Sequence, residues 1–173
     1  MWSLVKIGEI QQLEGLQRTF TSYINETKSL NYWDRLKSMK LFSIERRFER
    51  YLIIYIWKVI EDKVPKPDDI QCTSIDSRIG RKMFVNHLPN TVSQAIQTII
   101  YNSPINKAKR LFNALPKVLR NITDVSTEKF KCQLDNLLSQ IPDEPGVPGY
   151  TQFRTSPSNS VIDCLKLKYM VDS

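Results

Sequence analysis

The chain has 173 residues and a formal net charge of +7, with 41% hydrophobic and 25% charged residues. Its length suits one domain or slightly more, and its five glycines are few for an all-β protein, which needs many turns. The excess of positive charge favours an anionic partner, and a nucleic acid is the first candidate.

The positive charge is concentrated in the middle of the chain. Residues 65–140 contain 11 basic and 6 acidic residues, which gives them a net charge of +5. The three cysteines are far apart and form no disulfide framework, and no secretory leader opens the sequence. We therefore expect an intracellular protein of the cytoplasm, the nucleus or both.

Residues 1–64 are predicted to form a helical subdomain. Apolar residues at steps of three and four from Leu4 to Tyr23 indicate an amphipathic helix, and a second, short helix is expected from Tyr32 to Met39. Ser43 is a typical N-cap for a third helix, which Pro65 would stop.

The third helix changes character along its length, because it begins with charged residues and continues as YLIIYIWKVI. That apolar stretch is about half of the roughly 20 residues that a membrane span requires, and Lys58 interrupts it. A strand would account only for residues 51–57. We therefore expect no membrane association but a central buried helix, with its arginine-rich beginning at the surface.

Residues 65–141 are predicted to form a basic subdomain of mixed helix and strand. A strand pair is expected around Gly80, and the alternation of Ile96, Thr98 and Ile100 predicts a short strand. Helices are expected to begin at three sites marked by serine or proline. These are Ser103-Pro104, Pro116 and Ser126.

Residues 142–173 are predicted to form a proline-rich tether followed by a C-terminal amphipathic helix. The predicted fold class is therefore mainly α: a small helical bundle around a buried central helix, with a short β hairpin or strand pair in the middle. An α+β fold is the alternative.

The sequence predicts no catalytic residues, no metal site and no cofactor. His87 is the only histidine, and no cysteine or histidine spacing fits zinc. There is no glycine-rich phosphate loop and no nucleophile elbow. The paired carboxylates Asp68 and Asp69 follow Pro67, and we interpret them as solvated charge rather than as magnesium ligands.

Three basic clusters are the candidate nucleic-acid-binding residues, because lysines and arginines contact phosphates. Four nearby aromatic residues could stack on bases if they are exposed, although aromatic residues at helical spacing often face a core. They are Phe48, Tyr51, Phe84 and Phe112. Glu45 and Glu49 could instead pair with the arginines of the first cluster. The clusters are Arg46, Arg47 and Arg50; Arg78, Arg81 and Lys82; and Lys107, Lys109 and Arg110.

Several segments of the sequence follow one another in an order that also occurs in a known protein family. The first is EIQQLEGLQRTFT, followed by YWDRLKSMKLFSIERRFERYLIIYIWKVIEDKVP and then by RLFNALPKVLRNI and FKCQLDNLLSQIPDEP. Together they span about Glu9 to Pro145. In order and spacing they resemble the segment downstream of the reverse-transcriptase domain in non-LTR, LINE-like retrotransposon polyproteins of the jockey or CR-one kind.

The resemblance implies a region C-terminal to the polymerase palm, in the thumb and beyond, that helps to hold the RNA template and the DNA being copied. It also implies an upstream reverse-transcriptase domain as a partner. The family's catalytic aromatic-x-Asp-Asp turn is absent from this sequence, so we expect no enzymatic activity. The alternative is a helical protein-interaction module that docks on a polymerase or another protein without contacting nucleic acid.

Overall fold

The structure is a computed structural model that describes residues 7–67, 70–72, 80–86, 89–144 and 158–171. The described part is mainly α, as predicted, and its helical elements are numbered in chain order. They are α1 (Ile7–Ser22), a 3-10 turn (Asn25–Thr27), α2 (Tyr32–Ser38), α3 (Ile44–Ile60), α4 (Gln94–Tyr101), α5 (Pro104–Ala114), α6 (Lys117–Arg120), α7 (Thr127–Leu138) and α8 (Val161–Val171).

The predicted strand at Ile96–Ile100 is wrong, because this segment lies within α4. Its apolar residues also recur at steps of three and four, and that helical spacing is the pattern that the structure follows. Of the strand pair expected around Gly80, residues 73–79 lie outside the described part. In the described residues the only β pairing is an isolated antiparallel bridge between Cys72 and Met83.

Three serines begin helices as the sequence predicts. Ser43 accepts a hydrogen bond from the Arg46 amide, and Ser103 and Ser126 accept equivalent bonds at the beginnings of α5 and α7. Each cap satisfies an amide that has no partner within the helix, which typically contributes about 1 kcal/mol. The predicted starting points of these helices are therefore confirmed.

Helix α3 is the central buried element, as predicted. Its second half buries Ile53, Ile56 and Trp57 completely, and it packs most extensively against α5. The Trp57 ring stacks on Phe130 of α7 with 4.2 Å between centroids, and its indole N–H donates to the Ile122 carbonyl. The hydrophobic core draws on all three predicted segments, because α8 also contributes buried residues.

None of the helices in the described residues is long and apolar enough to cross a lipid bilayer.

Helix α1 is present as predicted, but its apolar stripe faces away from the rest of the fold. Glu14 and Thr21 are buried, and Gln17 donates to the Phe42 carbonyl. Leu16 and Phe20, on another side of the helix, are 68% and 78% exposed. Helix α1 therefore contacts α2 and α3 through polar side chains, and Leu13, Leu16 and Phe20 remain exposed.

Candidate functional site

The Arg46 side chain is fully buried, so the expectation that the arginine-rich beginning of α3 lies at the surface is wrong for this residue. Its guanidinium donates to the carbonyls of Pro142 (2.6 Å) and Asn159 (3.0 Å), and its Nε lies 3.6 Å from Asp143. The Asp143 carboxylate in turn accepts from the Ser43 amide and hydroxyl. These contacts join the beginning of α3 to the first residues of the predicted tether and to the segment just before α8.

The other two arginines of this cluster are partly exposed. Arg47 donates from Nε to the Phe42 carbonyl at 3.1 Å. Arg50 makes a bidentate ion pair with Asp135 of α7, at 2.5 and 2.7 Å. The hydrogen bonds that Arg50 donates to Asp135 raise the pKa of Arg50, so the guanidinium stays charged.

The second predicted cluster is divided between the interior and the surface. Arg81 is buried, forms a 2.7 Å ion pair with Glu61 and donates to the Arg120 carbonyl at 2.8 Å. These contacts connect the loop after Gly80 to the ends of α3 and α6. Lys82 is exposed, whereas Arg78 lies outside the described residues. Of this cluster, the structure leaves Lys82 at the surface.

The third predicted cluster is also divided. Lys109 is buried, and its ammonium donates to the Asn86 side chain at 2.7 Å. Lys107 is partly exposed and lies 3.1 Å from the buried Glu49 carboxylate. The Arg110 guanidinium lies over the Tyr101 ring, 3.6 Å from its centroid, where burial lowers its pKa.

An apolar groove of about 370 Å³ lies between α3 and α5, beside one residue from each of two predicted clusters, Arg50 and Lys107. We call it the aromatic groove. Three aromatic side chains of α3 line it at helical spacing, so they share one face of the helix. The groove is lined by Phe48, Tyr51, Leu52, Tyr55, Pro104 and Ile105.

Two cationic side chains lie against rings of the aromatic groove, and we group them with the other partly exposed cations of α3 and α5 under the name basic rim. Lys107 Nζ lies 5.6 Å from the Phe48 ring centroid, and the Arg50 guanidinium lies 5.9 Å from that of Tyr51. Such cation–ring contacts hold positive charge beside the ring faces. All members of the rim are partly exposed. They are Arg47, Arg50 and Lys58 on α3 and Lys107 and Arg110 on α5.

Of the other aromatic residues proposed for base stacking, Phe112 is fully buried in the core, whereas Phe84 is exposed at 55%. Tyr51 is the most exposed ring of the aromatic groove at 62%. The structure therefore places a stacking surface and a set of cations side by side on α3 and α5. That combination can hold a nucleic-acid strand through its bases and its phosphates together.

Buried acids fix the arrangement behind the groove. Glu49 accepts from the Ser160 hydroxyl (2.9 Å) and the Val161 amide (2.7 Å), so it caps α8 while it pairs with Lys107. Burial, followed by the charge of Glu49, raises the pKa of Glu45 one turn earlier. Glu49 therefore links α3 to α8 and holds Lys107 in place at the edge of the groove.

Sequence reasoning missed Tyr55 and Lys58 as members of this face. The steps from Phe48 to Tyr51, Tyr55 and Lys58 are three, four and three residues, which is the spacing of one helical face and could have revealed them. No sequence signal identifies Glu49 as a buried cap, because its partner Val161 is more than one hundred residues away in the chain.

Comparisons of the chain with family models, curated proteins and solved structures found no match.

Proposed function

We propose that this chain is a non-catalytic, nucleic-acid-binding segment of a LINE-like reverse transcriptase, and that it binds RNA or DNA with the basic rim and the aromatic groove. One observation carries the proposal: Arg50 and Lys107, which belong to two basic clusters far apart in the sequence, lie beside one groove lined by aromatic residues. Phosphates would lie on the rim, and the binding would be largely independent of base sequence.

The pairing of rim residues with carboxylates is compatible with phosphate contact. The Arg50–Asp135 pair uses two of the five N–H donors that a guanidinium carries. Lys107 remains about one third exposed while it contacts Glu49. Arg47 donates to a backbone carbonyl, and it is partly exposed. The rim therefore attracts anions even though two of its members have acidic neighbours.

The order and spacing of the sequence segments between about Glu9 and Pro145 support the assignment to the region downstream of a polymerase palm. In the full polyprotein this segment would hold template or product near an upstream reverse-transcriptase domain, in the cytoplasm or nucleus. The chain itself would contribute binding and no chemistry, because the sequence has no aromatic-x-Asp-Asp turn to hold the metal ions of polymerisation.

Fluorescence anisotropy with labelled oligonucleotides at low salt tests the proposal. Replacing two rim residues in the variant Arg47→Gln/Arg110→Gln should weaken binding several-fold or more. The control variant Lys37→Gln/Lys40→Gln removes the same charge beside another groove, between α2 and α7, and should have a smaller effect. Equal losses in the two variants, or no binding by the wild-type chain, would contradict the proposal.

The outward apolar stripe of α1 favours a second candidate function, a helical module that docks on another protein. Leu13, Leu16 and Phe20 are exposed on one side of a helix whose buried residues are polar, and exposed apolar clusters commonly mark interaction sites. In isolation such a chain would self-associate. Sedimentation at several concentrations tests this: an oligomer that Leu16→Ser/Phe20→Ser converts to a monomer supports docking, and a monomeric wild type argues against it.

A further inference from the structure

We propose that the aromatic groove accepts unpaired bases, so that the chain binds single strands in preference to duplexes. This inference rests on the proposed nucleic-acid binding and adds the class of strand that the site selects. It follows from the exposure and spacing of the aromatic rings on α3 and from the cations around them.

The rings form a row rather than a single contact. Phe48, Tyr51 and Tyr55 lie on one face of α3 and extend over about 10 Å of helix axis, at 1.5 Å per residue. That length corresponds to about three bases at the 3.4 Å spacing of a stacked strand. The row can therefore accommodate a short run of bases, with the exposed Tyr51 ring at its centre.

The charge around the row matches a strand whose phosphates run beside its bases. Arg47 lies one helical turn before Tyr51, and Lys58 lies two turns after it on the same side of α3. Across the groove, Lys107 Nζ is 5.6 Å from the Phe48 ring centroid. A strand with its bases in the groove would thus have cations on both sides for its phosphates.

A base-paired duplex cannot use this surface in the same way. The faces of its bases are covered by their neighbours in the stack, so a duplex would offer the groove only its backbone and edges. It could still contact the basic rim through its phosphates. The groove would consequently add affinity for single strands and leave the affinity for duplexes unchanged.

An apolar protein side chain is the other class of occupant that such a groove could take. The cations of the rim favour a polyanion over an apolar peptide. Arg50 and Lys107 keep N–H donors beyond those they give to Asp135 and Glu49, and phosphates can accept from these donors, whereas an apolar peptide would cover them without accepting a hydrogen bond. The charge complementarity of rim and strand is therefore the reason for assigning the groove to nucleic acid.

The test compares labelled single strands of oligouridine and oligothymidine with a duplex of equal length, by anisotropy at one low salt concentration. The variants are Tyr51→Ala, which removes the ring, and Tyr51→Phe, which keeps it. Tyr23→Ala removes a tyrosine that lies just after α1 and is also largely exposed, at 74%, and it is the matched control. Melting temperatures show whether each variant folds as the wild type does.

We expect the wild type to prefer single strands, and Tyr51→Ala to weaken single-strand binding roughly tenfold without changing duplex binding. Tyr51→Phe and Tyr23→Ala should bind as the wild type does. The comparison of the two single strands shows whether RNA or DNA is preferred.

Equal binding of single strands and duplex, with no effect of Tyr51→Ala, would overturn the inference while leaving the proposed nucleic-acid binding intact. Failure of the wild type to bind either probe would overturn both. If Tyr51→Ala instead abolished self-association in sedimentation and left single-strand binding unchanged, the groove would be a protein-docking site.

Discussion

Replacement of Arg46 by alanine separates a structural arginine from one that binds phosphate. The guanidinium is fully buried and donates to the Pro142 and Asn159 carbonyls beside the Asp143 carboxylate. Arg46→Ala would leave these acceptors without their donor, and removing one partner from a buried charged network typically costs about 3–5 kcal/mol. The free energy of unfolding should therefore fall by about that amount.

This loss is a large share of the roughly 5–15 kcal/mol by which a typical protein is stable. Urea denaturation followed by far-UV circular dichroism measures it. Arg47→Ala is the matched control, since Arg47 is partly exposed and makes one hydrogen bond, to the Phe42 carbonyl. Arg47→Ala should lower the free energy of unfolding by about 1 kcal/mol.

The reasoning would be refuted if the two variants lost similar, small amounts of stability. Arg46→Lys keeps the charge but not the planar arrangement of donors, so its stability should lie between those of the wild type and of Arg46→Ala. The free energy of unfolding of Arg46→Lys can be measured even where Arg46→Ala does not fold.

Three further predictions concern the core, one turn and the pH dependence of stability. Phe130→Ala removes a buried ring that stacks on Trp57 and should cost about 3–5 kcal/mol in urea denaturation. Gly80→Ala should cost about 1–2 kcal/mol by the same assay, because φ is +72° and the added Cβ would lie 2.8 Å from Asn121 Oδ1. Gly15→Ala should instead be neutral or stabilising, because the added Cβ would have no atom within 4 Å apart from the backbone of its own helix. Burial raises the pKa of Glu45, so the folded state keeps the proton to a higher pH than the unfolded state does. The free energy of unfolding should therefore fall as the pH rises from 4.5 through the raised pKa. Denaturation curves across this pH range should show a smaller fall for Glu45→Gln.

The helical architecture was largely predictable because its signals are local. The serines that begin α3, α5 and α7 lie beside the helices they cap, and the apolar run of α3 is too continuous for a surface helix. The segment 96–100 was misassigned because its isoleucines fit both a period of two and steps of three and four. No local signal in five residues distinguishes the two patterns.

The division of the basic clusters into buried and exposed residues was not predictable from local sequence. Arg46 is buried because segments about one hundred residues further along the chain supply its acceptors. Arg47, its neighbour, points elsewhere because successive residues on a helix lie about 100° apart. A charged cluster in a sequence therefore identifies a helix turn rich in cations, whereas tertiary contacts decide which of them reach a ligand.

The salt dependence of single-strand binding tests the central claim most directly. About four phosphate contacts on the basic rim predict a slope near −3 in a plot of the logarithm of the association constant against the logarithm of the salt concentration. The variant Arg47→Gln/Arg110→Gln should make this slope shallower by about 1.4. A slope near zero in the wild type, or no binding at low salt, would contradict the assignment of this face to nucleic acid.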